Sequence, residues 1–299
     1  MISLVIPAFN EETGLQLTVD EALRFVDEIL IIDDGSTDRT GQIAHELSSH
    51  HPKIKVFTHE KNLGKAQALR TGVEHAHGDI IVFTDADFTH PAEFIPSLVL
   101  EIENGADLAI GERVSRPENK IPFFNRIGNV IFSVLISYVG CSEIRDGQCG
   151  FRAFKKDDFK SLDVYARSLE YETKMTVNAL KKGYDVIEVP IIYRSRKGSS
   201  KLKPISDGFR MLKAIASIAY RQTTLIARLM MASSFFMGMI GLIFGLISIY
   251  ERIVFLKLIN EYYPLITVFL IFLSVQLFSM AIVMDHMTRK MDRIYQRLR

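Results

Sequence analysis

Short apolar runs alternate with stretches of helical periodicity along the first 110 residues of the chain. The apolar runs predict strands at Ser3–Ile6, Glu28–Ile32, Ile54–Thr58, Asp79–Thr84 and Asp107–Ile110. Apolar residues that recur every three or four positions predict helices at Glu12–Phe25, Arg39–Ser48, Lys65–His75 and Pro91–Glu103. Strands that are apolar on both faces and alternate with helices are typical of a mostly parallel sheet. The pattern therefore predicts an α/β, Rossmann-like fold with helices on both faces of the sheet.

Two of these helices carry more specific signals. The third places Ala66, Leu69 and Val73 on one face, which we expect to be buried against the sheet. The fourth begins with Pro91, a residue that is favoured at the first position of a helix.

Near its C-terminus the chain contains two long stretches without charged residues. Residues 229–250 and 264–284 are 22 and 21 residues long. At the helical rise, each would extend for ~30 Å, the thickness of one hydrocarbon core. We therefore predict a hairpin of two transmembrane helices, in which small residues allow close approach. These residues are Gly238, Gly241 and Gly245.

Basic residues flank both outer ends of the predicted hairpin. Residues 193–228 contain nine Lys or Arg and one acidic residue, and five basic residues follow the second span. By the positive-inside rule, the N-terminal domain and the C-terminus lie in the cytoplasm. The predicted organisation is a cytoplasmic catalytic domain, an amphipathic interfacial helix or linker, the transmembrane pair and a basic cytoplasmic tail. Their limits are 1–204, 205–228, 229–284 and 285–299.

Composition narrows the range of functions. The 36 Lys and Arg residues nearly balance the 35 Asp and Glu residues, and the net charge of +1 argues against a nucleic-acid partner. The chain begins with a strand pattern and lacks a basic leader, so we expect no secretory signal. Its two cysteines, Cys141 and Cys149, fit neither a disulfide framework nor a repeated metal motif, and we expect packing roles.

Acidic residues collect where predicted strands end. The second strand runs into Asp33 and Asp34, and the fourth into Asp85 and Asp87. In an open α/β sheet, ligands bind at the carboxyl ends of the strands. Two carboxylates spaced two residues apart suit Mg²⁺ or Mn²⁺, which often completes its coordination with substrate phosphates. No dinucleotide fingerprint or P-loop is present, so the pattern predicts a metal-bridged diphosphate of another kind.

Taken in order along the chain, the motifs of residues 1–228 resemble a known family. The first four are similar to motifs of inverting glycosyltransferases of family 2, which have the GT-A fold. They are Val5-Ile6-Pro7-Ala8-Phe9-Asn10-Glu11, Asp33-Asp34-Gly35-Ser36-Thr37, Asn62-Leu63-Gly64-Lys65-Ala66 and Asp85-Ala86-Asp87. Two more resemble the dolichyl- or polyprenyl-phosphate sugar synthases of that family. They are Asp146-Gly147-Gln148-Cys149-Gly150-Phe151-Arg152-Ala153-Phe154 and Gly198-Ser199-Ser200-Lys201-Leu202.

The resemblance implies a role for particular residues. The implied nucleotide-sugar site consists of Pro7, Phe9, Glu11, Asp33, Asp34, Asp85, Ala86, Asp87, Arg196 and Lys201, with Arg194 as the alternative to Arg196. The implied metal site consists of Asp85, Asp87 and Thr89, where close relatives often have Gln in place of Thr89. The implied acceptor-phosphate residues are Arg113, Arg126 and Asn129. The implied catalytic residues are Asp87, Arg113, Arg126 and Asp146.

Several residues receive structural interpretations. Arg152 is expected to pair with Asp146. Glu172 matches an acid that lines the acceptor site of relatives, although acids at a helix start also have a structural reason. The eight histidines form no recognisable ligand spacing and are assigned no chemistry.

The resemblance implies transfer of a hexose from a nucleotide-diphosphate sugar, GDP-mannose or UDP-glucose, to dolichyl or polyprenyl phosphate. The implied partners are these two substrates and a lipid membrane. Assembly into a homo-oligomer is compatible with the resemblance. One alternative is transfer to a lipid or protein hydroxyl, which would need a base near Asp146 or Glu172. Another is an inactive, membrane-tethered binding domain. A processive polysaccharide synthase is disfavoured, because its Gln-x-x-Arg-Trp motif requires a tryptophan and this chain has none.

Overall fold

The computed structural model of the chain describes residues 1–114, 123–140, 142–162, 170–197 and 223–297, together with residues 213, 216, 217 and 220. The chain forms two compact units, residues 1–217 and 218–298. The division falls inside the segment predicted as an interfacial helix, 205–228, most of which lies outside the described residues. The predicted domain limits stay predictions.

The first unit is built around a seven-stranded mixed sheet in the order β3-β2-β1-β4-β6-β5-β7. The strands are β1 (Ile2–Ala8), β2 (Glu28–Asp33), β3 (Ile54–Thr58), β4 (Ile80–Phe83), β5 (Leu108–Arg113), β6 (Arg152–Lys155) and β7 (Val186–Ile191). The helices are α1 (Leu15–Ala22), α2 (Thr40–His50), α3 (Lys65–His75), α4 (Ile95–Glu103), α5 (Phe123–Gly140), α6 (Phe159–Leu162) and α7 (Glu170–Lys181).

The sheet confirms the predicted mostly parallel α/β fold. Strand β2 is buried along its whole length, and Leu4, Val5 and Ile6 of β1 have no exposed surface. Such central strands must be apolar on both faces, because helices cover both sides. The predicted buried face of α3 is confirmed, since Ala66, Leu69 and Val73 are at most 3% exposed.

Two strands were absent from the sequence prediction, and one of them explains the shape of the site. Strand β6 runs antiparallel between β4 and β5, and its first residue, Arg152, pairs with Phe83 and Ile110. Because β6 runs opposite to its neighbours, the loop that precedes it lies at the edge where β4 and β5 end. A four-residue strand after an irregular loop carries too little periodicity to be recognised.

Helix starts differ from the prediction by three or more residues at two places. The fourth helix does not begin at Pro91, because this proline has extended backbone (ψ 125°) and precedes a 3₁₀ turn at Ala92–Phe94. Helix α4 begins at Ile95, and Pro96 occupies its first turn, where a missing N–H costs no hydrogen bond. The first helix begins at Leu15 rather than Glu12.

The second unit contains two long helices, α8 (Leu225–Phe255) and α9 (Tyr263–Arg297). They pack antiparallel, and Ser234 and Ser274 each donate a side-chain hydrogen bond to the other's carbonyl oxygen, at 2.8 and 2.9 Å. A Cβ at Gly241 would lie 3.1 Å from Leu270 Cβ. Gly238 and Gly245 similarly face Ser274 and Thr267 of α9, so the predicted close approach at the three glycines is confirmed.

Both helices expose apolar side chains along their length. Their most apolar windows have mean hydropathies of 2.0 and 2.4, yet only 11% and 6% of these windows is buried in the structure. A core helix of a soluble protein would be mostly buried. Helices long enough to span a membrane, with apolar side chains turned outward, are typical of a membrane protein.

Candidate active site

The site lies at the edge of the sheet where β1, β2, β4, β5 and β7 end. These strands run in the same direction, so the loops that follow them meet at this edge. The loop before β6 joins them, because β6 runs the other way. The predicted residues Glu11, Asp85, Asp87, Arg113 and Arg196 therefore come together although they are far apart in sequence.

Asp85 and Glu172 share one cation. Lys65 Nζ lies 2.5 Å from Asp85 Oδ1 and 2.6 Å from Glu172 Oε1. Burial alone would raise the pKa of Asp85, but Lys65, with His90 and Arg196, outweighs it and holds the pKa well below its usual range. Burial alone would likewise lower the pKa of Lys65, but Asp85 and Glu172 raise it. Lys65 is therefore an ammonium and Asp85 a carboxylate at neutral pH.

Asp87 is fixed by its own loop. Thr89 donates its hydroxyl to Asp87 Oδ1 at 2.5 Å, and the Thr89 backbone N–H donates to the same oxygen at 3.1 Å. Phe88 has a positive φ of 64°, which turns the chain back so that Thr89 reaches the preceding aspartate. A Cβ at Gly14 would lie 2.8 Å from Asp87 Cα, so only glycine allows this close approach.

Of the two alternative arginines, Arg196 is the one that reaches the carboxylates. Its guanidinium binds Glu11, and its Nε lies 3.5 Å from Asp87 Oδ2. Arg194 instead forms two hydrogen bonds with Glu21 of α1, at 2.7 and 2.9 Å. Arg196 is therefore placed to contact a ligand that binds at Asp87.

Arg113 and Asp146 form a paired group on the other side of the site. Arg113 donates from Nε and Nη2 to the two oxygens of Asp146, at 2.6 and 2.7 Å. Its guanidinium also lies 5.4 Å from the centre of the Tyr193 ring. Glu188 of β7 accepts the backbone N–H groups of Arg145 and Asp146 and thereby holds this part of the loop.

Arg152 does not pair with Asp146 as expected. It is 1% exposed, and it donates to the carbonyl oxygens of Cys149 and Gly147 at 2.7 and 2.8 Å. The interpretation was wrong because Asp146 is already occupied by Arg113. Through these two hydrogen bonds, Arg152 instead holds the backbone of the loop before β6.

Asp33 and Asp34 are buried and hold backbone turns. Asp33 accepts the N–H of Ser36 at 3.0 Å. Asp34 accepts the N–H groups of Leu63 and Gly64, at 2.9 and 2.8 Å, and contacts His59 Nδ1 at 2.7 Å. Pro7, Phe9 and this turn lie at the ends of neighbouring strands, since Ala8 pairs with Asp33.

The sequence analysis missed the contribution of two groups, Lys65 and His90. Lys65 had no assigned role, although a cation at the first position of a helix opposes the helix dipole and so signals another purpose. His90 is 4% exposed and stacks on Phe151. Burial lowers the pKa of His90, and the nearby carboxylates Asp85 and Asp87 only partly oppose this effect. Burial raises the pKa of Cys149 to about 12, which supports its packing role.

Three predicted site residues cannot be placed by their side chains. Lys201 lies outside the described residues. Arg126 and Asn129 lie in α5, whose backbone is described there while their side chains are not. Ala86, between the two aspartates, is 2% exposed.

Several relatives are similar to this chain. The dolichol-phosphate mannosyltransferase of Pyrococcus furiosus is 35% identical over 68% of this chain and 59% of its own length. The dolichyl-phosphate hexose transferase of Haloferax volcanii is 27% identical, over 74% of this chain and 95% of its own length. A UDP-N-acetylglucosamine–dolichyl-phosphate N-acetylglucosaminyltransferase of Methanococcus voltae is 32% identical over 64% of this chain and 84% of its own length. The chain thus spans about three fifths of the first relative and nearly all of the second.

Solved structures agree on the fold. Glucosyl-3-phosphoglycerate synthase from Mycobacterium tuberculosis, in complex with Mn²⁺, uridine diphosphate and glucosyl-3-phosphoglycerate, matches with a TM-score of 0.58 and 22% identity, over 73% of this chain and 80% of that chain. The same enzyme with Mg²⁺ and uridine diphosphate matches with a TM-score of 0.57 and 23% identity, over 73% and 79%. The model of the family described as glycosyl transferase family 2 matches residues 3–163, more than half of the chain. The chain therefore belongs to glycosyl transferase family 2.

Proposed function

We propose that this chain transfers one hexose from GDP-mannose or UDP-glucose to dolichyl or polyprenyl phosphate, with inversion at the anomeric carbon. The product would be a lipid-phosphate-linked sugar for glycan assembly. Three relatives whose names contain dolichol phosphate or dolichyl phosphate support this acceptor. The uridine diphosphate bound by the structural neighbour supports a nucleotide-diphosphate donor.

The observation that carries this proposal is the pairing of the two acids nearest the acceptor side. A hydroxyl acceptor needs a base whose lone pair can receive a proton. Both oxygens of Asp146 accept hydrogen bonds from Arg113, and Glu172 lies 2.6 Å from the Lys65 ammonium. A phosphate monoester has a second pKa of about 6, so it is already a nucleophile at neutral pH and needs no base. The pairing therefore favours a phosphate acceptor.

On the donor side, the residues fit a divalent cation. Within the described part of the chain, no cluster of three or more His, Cys, Asp or Glu forms a complete metal site. The oxygens of Asp85 and Asp87 suit Mg²⁺ or Mn²⁺ when a diphosphate supplies the other ligands. The bound cation would stabilise negative charge on the departing diphosphate. Thr89 would orient Asp87, and Arg196 and Lys201 would clamp the diphosphate. Pro7, Phe9, Glu11 and the Asp33-Asp34 turn would hold the base and ribose.

On the acceptor side, positive charge has to offset repulsion. The anionic acceptor must approach a donor that is also anionic. We assign Arg113, Arg126 and Asn129 to the acceptor phosphate, where guanidinium groups bind phosphate oxygens in charge-assisted pairs. Asp146 would keep the Arg113 guanidinium in place for this contact.

The helix pair would hold the active site at the bilayer, where a polyprenyl phosphate presents its head group. We propose that residues 1–204 and the basic tail, 285–299, both face the cytoplasm, as the basic flanks favour. Residues 205–228 would lie along the interface as an amphipathic helix.

A donor and acceptor panel tests the proposal. Membranes containing the chain are incubated with labelled GDP-mannose, UDP-glucose or UDP-N-acetylglucosamine plus polyprenyl phosphate, and the lipid products are separated. We expect one of the donors to give a labelled lipid phosphate. When polyprenol replaces polyprenyl phosphate as the acceptor, we expect no labelled product. A product formed equally well with polyprenol would contradict the phosphate acceptor.

Asp87→Ala provides the site variant for this assay. It removes one of the two carboxylates of the proposed metal site, and we expect the transfer rate to fall by at least about a hundredfold. Asp20→Ala, on helix α1, is the matched control and should transfer normally. Normal turnover by the Asp87 variant would rule out the metal site.

A further inference from the structure

Lys65 occupies a position that helix formation does not explain. It is the first residue of α3 and follows Gly64, which has a φ of 92°. The N-terminus of a helix carries partial positive charge, so an ammonium is electrostatically disfavoured there. The side chain instead extends to Asp85 and Glu172. This contact joins the start of α3, the loop after β4 and the start of α7.

The loop before β6 closes over this contact. A Cβ at Gly150 would lie 2.9 Å from Lys65 Nζ and 3.1 Å from Asp85 Oδ2. Glu172 is 6% exposed in its side chain and Lys65 26%. The ammonium is therefore held against a carboxylate that the proposed function assigns to a divalent cation. A cation bound at Asp85 would lie a few ångströms from the ammonium, where like charges repel strongly.

We propose that Lys65 is an internal counter-ion that keeps a divalent cation from binding tightly to the free enzyme, so that the cation binds together with the donor diphosphate. The inference rests on the metal site of the proposed function. The two negative charges of the donor's diphosphate offset the positive charge of the ammonium, which then has an anionic partner from the donor. In this role Lys65 is a positioning residue, because it makes tight binding of the divalent cation depend on the presence of the donor.

Mn²⁺ binding measures this effect without catalysis. The full chain in detergent is titrated with Mn²⁺, and free Mn²⁺ is followed by electron paramagnetic resonance, with and without UDP or GDP. Without nucleotide, we expect Lys65→Met to bind Mn²⁺ at least about tenfold more tightly than the wild type, because one positive charge is lost from the site. With nucleotide, the difference in Mn²⁺ affinity between Lys65→Met and the wild type should shrink to less than about threefold. In the variant, the diphosphate lacks its contact with the ammonium, and this loss offsets the gain from the removed positive charge.

Two further Lys65 variants separate charge from folding. Lys65→Gln keeps a hydrogen-bond donor for the two carboxylates but lacks the charge, so it should bind Mn²⁺ as Lys65→Met does. Lys65→Arg keeps the charge and should bind Mn²⁺ as weakly as the wild type. Lys55→Met is the matched control. Lys55 Nζ lies 2.7 Å from the buried Glu28, at the opposite edge of the sheet, so its loss should leave Mn²⁺ binding unchanged.

The outcomes distinguish the inference from the proposed function. In one outcome, the wild type binds Mn²⁺ in the presence of nucleotide, but in the absence of nucleotide the Lys65→Met and Lys65→Gln variants bind Mn²⁺ no more tightly than the wild type. The inference is then wrong and the metal site stands. If Lys55→Met tightens binding equally, the effect is one of net charge, and the inference is again wrong. If the wild type binds no Mn²⁺ in either condition, both the metal site and the inference fail.

Discussion

The acidic side chains of the site take their cationic partners from distant parts of the chain. Asp85 meets Lys65 from 20 residues earlier, and Glu11 meets Arg196 from 185 residues later. The sequence pattern predicted the acids, because they follow strands whose ends face one edge of the sheet. It did not predict the pairs, because a pair depends on how loops fold over that edge. Residue types at strand ends are thus more predictable than their contacts.

Arg126 provides a prediction for the acceptor side. If its guanidinium binds the acceptor phosphate, Arg126→Ala should raise the KM for polyprenyl phosphate by about tenfold or more while leaving the KM for the donor nearly unchanged. Steady-state kinetics with each substrate varied in turn measure both constants. An equal rise in the two KM values would contradict the assignment to the acceptor.

Glu28 provides a prediction about stability at the edge of the sheet opposite the site. Burial alone would raise its pKa, but hydrogen bonds from Lys55, Ser3 and His77 outweigh burial and lower the pKa to about 2 from the ordinary 4.5. The ionised form therefore stabilises the folded state above pH 4.5, and this contribution disappears as the pH falls toward 2.

Glu28→Gln should therefore lower the free energy of unfolding by about 1–2 kcal/mol at pH 7, a value that allows for solvent screening. The difference from the wild type should shrink between pH 4.5 and pH 2. Denaturant unfolding followed by circular dichroism at several pH values measures it. A difference of the same size at pH 3 and pH 7 would show that the carboxylate charge is not responsible.

At the scale of elements, periodicity predicted five strands, four helices and the two long apolar helices, because a long apolar pattern can be recognised from the sequence alone. It did not predict β6 or β7. Strand β6 is four residues long and antiparallel to its neighbours, and the buried Arg152 at its start donates to two carbonyl oxygens of the preceding loop. This loop carries Asp146 into the site, so the part of the site missed by periodicity depends on one irregular connection.

The glycines of α8 provide a prediction about the helix pair. Gly241→Leu would place side-chain atoms where Leu270 and Ile271 already pack, and we expect it to destabilise the pair by about 1–3 kcal/mol. Ser234→Cys and Ser274→Cys, introduced together, report the approach of the helices, since the two hydroxyl oxygens lie 3.4 Å apart. The rate of disulfide formation between them should fall when Gly241→Leu is added.

Leu242→Phe is the control for this experiment, because Leu242 is 59% exposed and its side chain faces away from α9. It should leave the rate of disulfide formation unchanged. An unchanged rate in the Gly241 variant would mean that the helices do not require a small residue at this position.

At the scale of the whole molecule, the chain joins a charged site in one unit to an apolar helix pair in another. The site holds paired ions, and the proposed function assigns two anionic substrates to it. The helix pair exposes a large apolar surface, whose contact with water would be energetically unfavourable. A lipid phosphate is a substrate that needs both, because its head group is charged while its tail stays in the bilayer.

Deletion of residues 229–299 tests this connection. Without the helix pair, the enzyme must find its acceptor from solution rather than along the membrane, so its effective concentration at the bilayer falls. Activity on long-chain polyprenyl phosphates should fall at least about tenfold more than activity on short, water-soluble ones, as measured by initial rates with both acceptors. A chain in which an unrelated pair of membrane spans replaces residues 229–299 should recover activity on the long acceptors, because anchoring alone restores the local concentration. Equal losses on both acceptors would instead mean that the helix pair supports the fold of the catalytic unit.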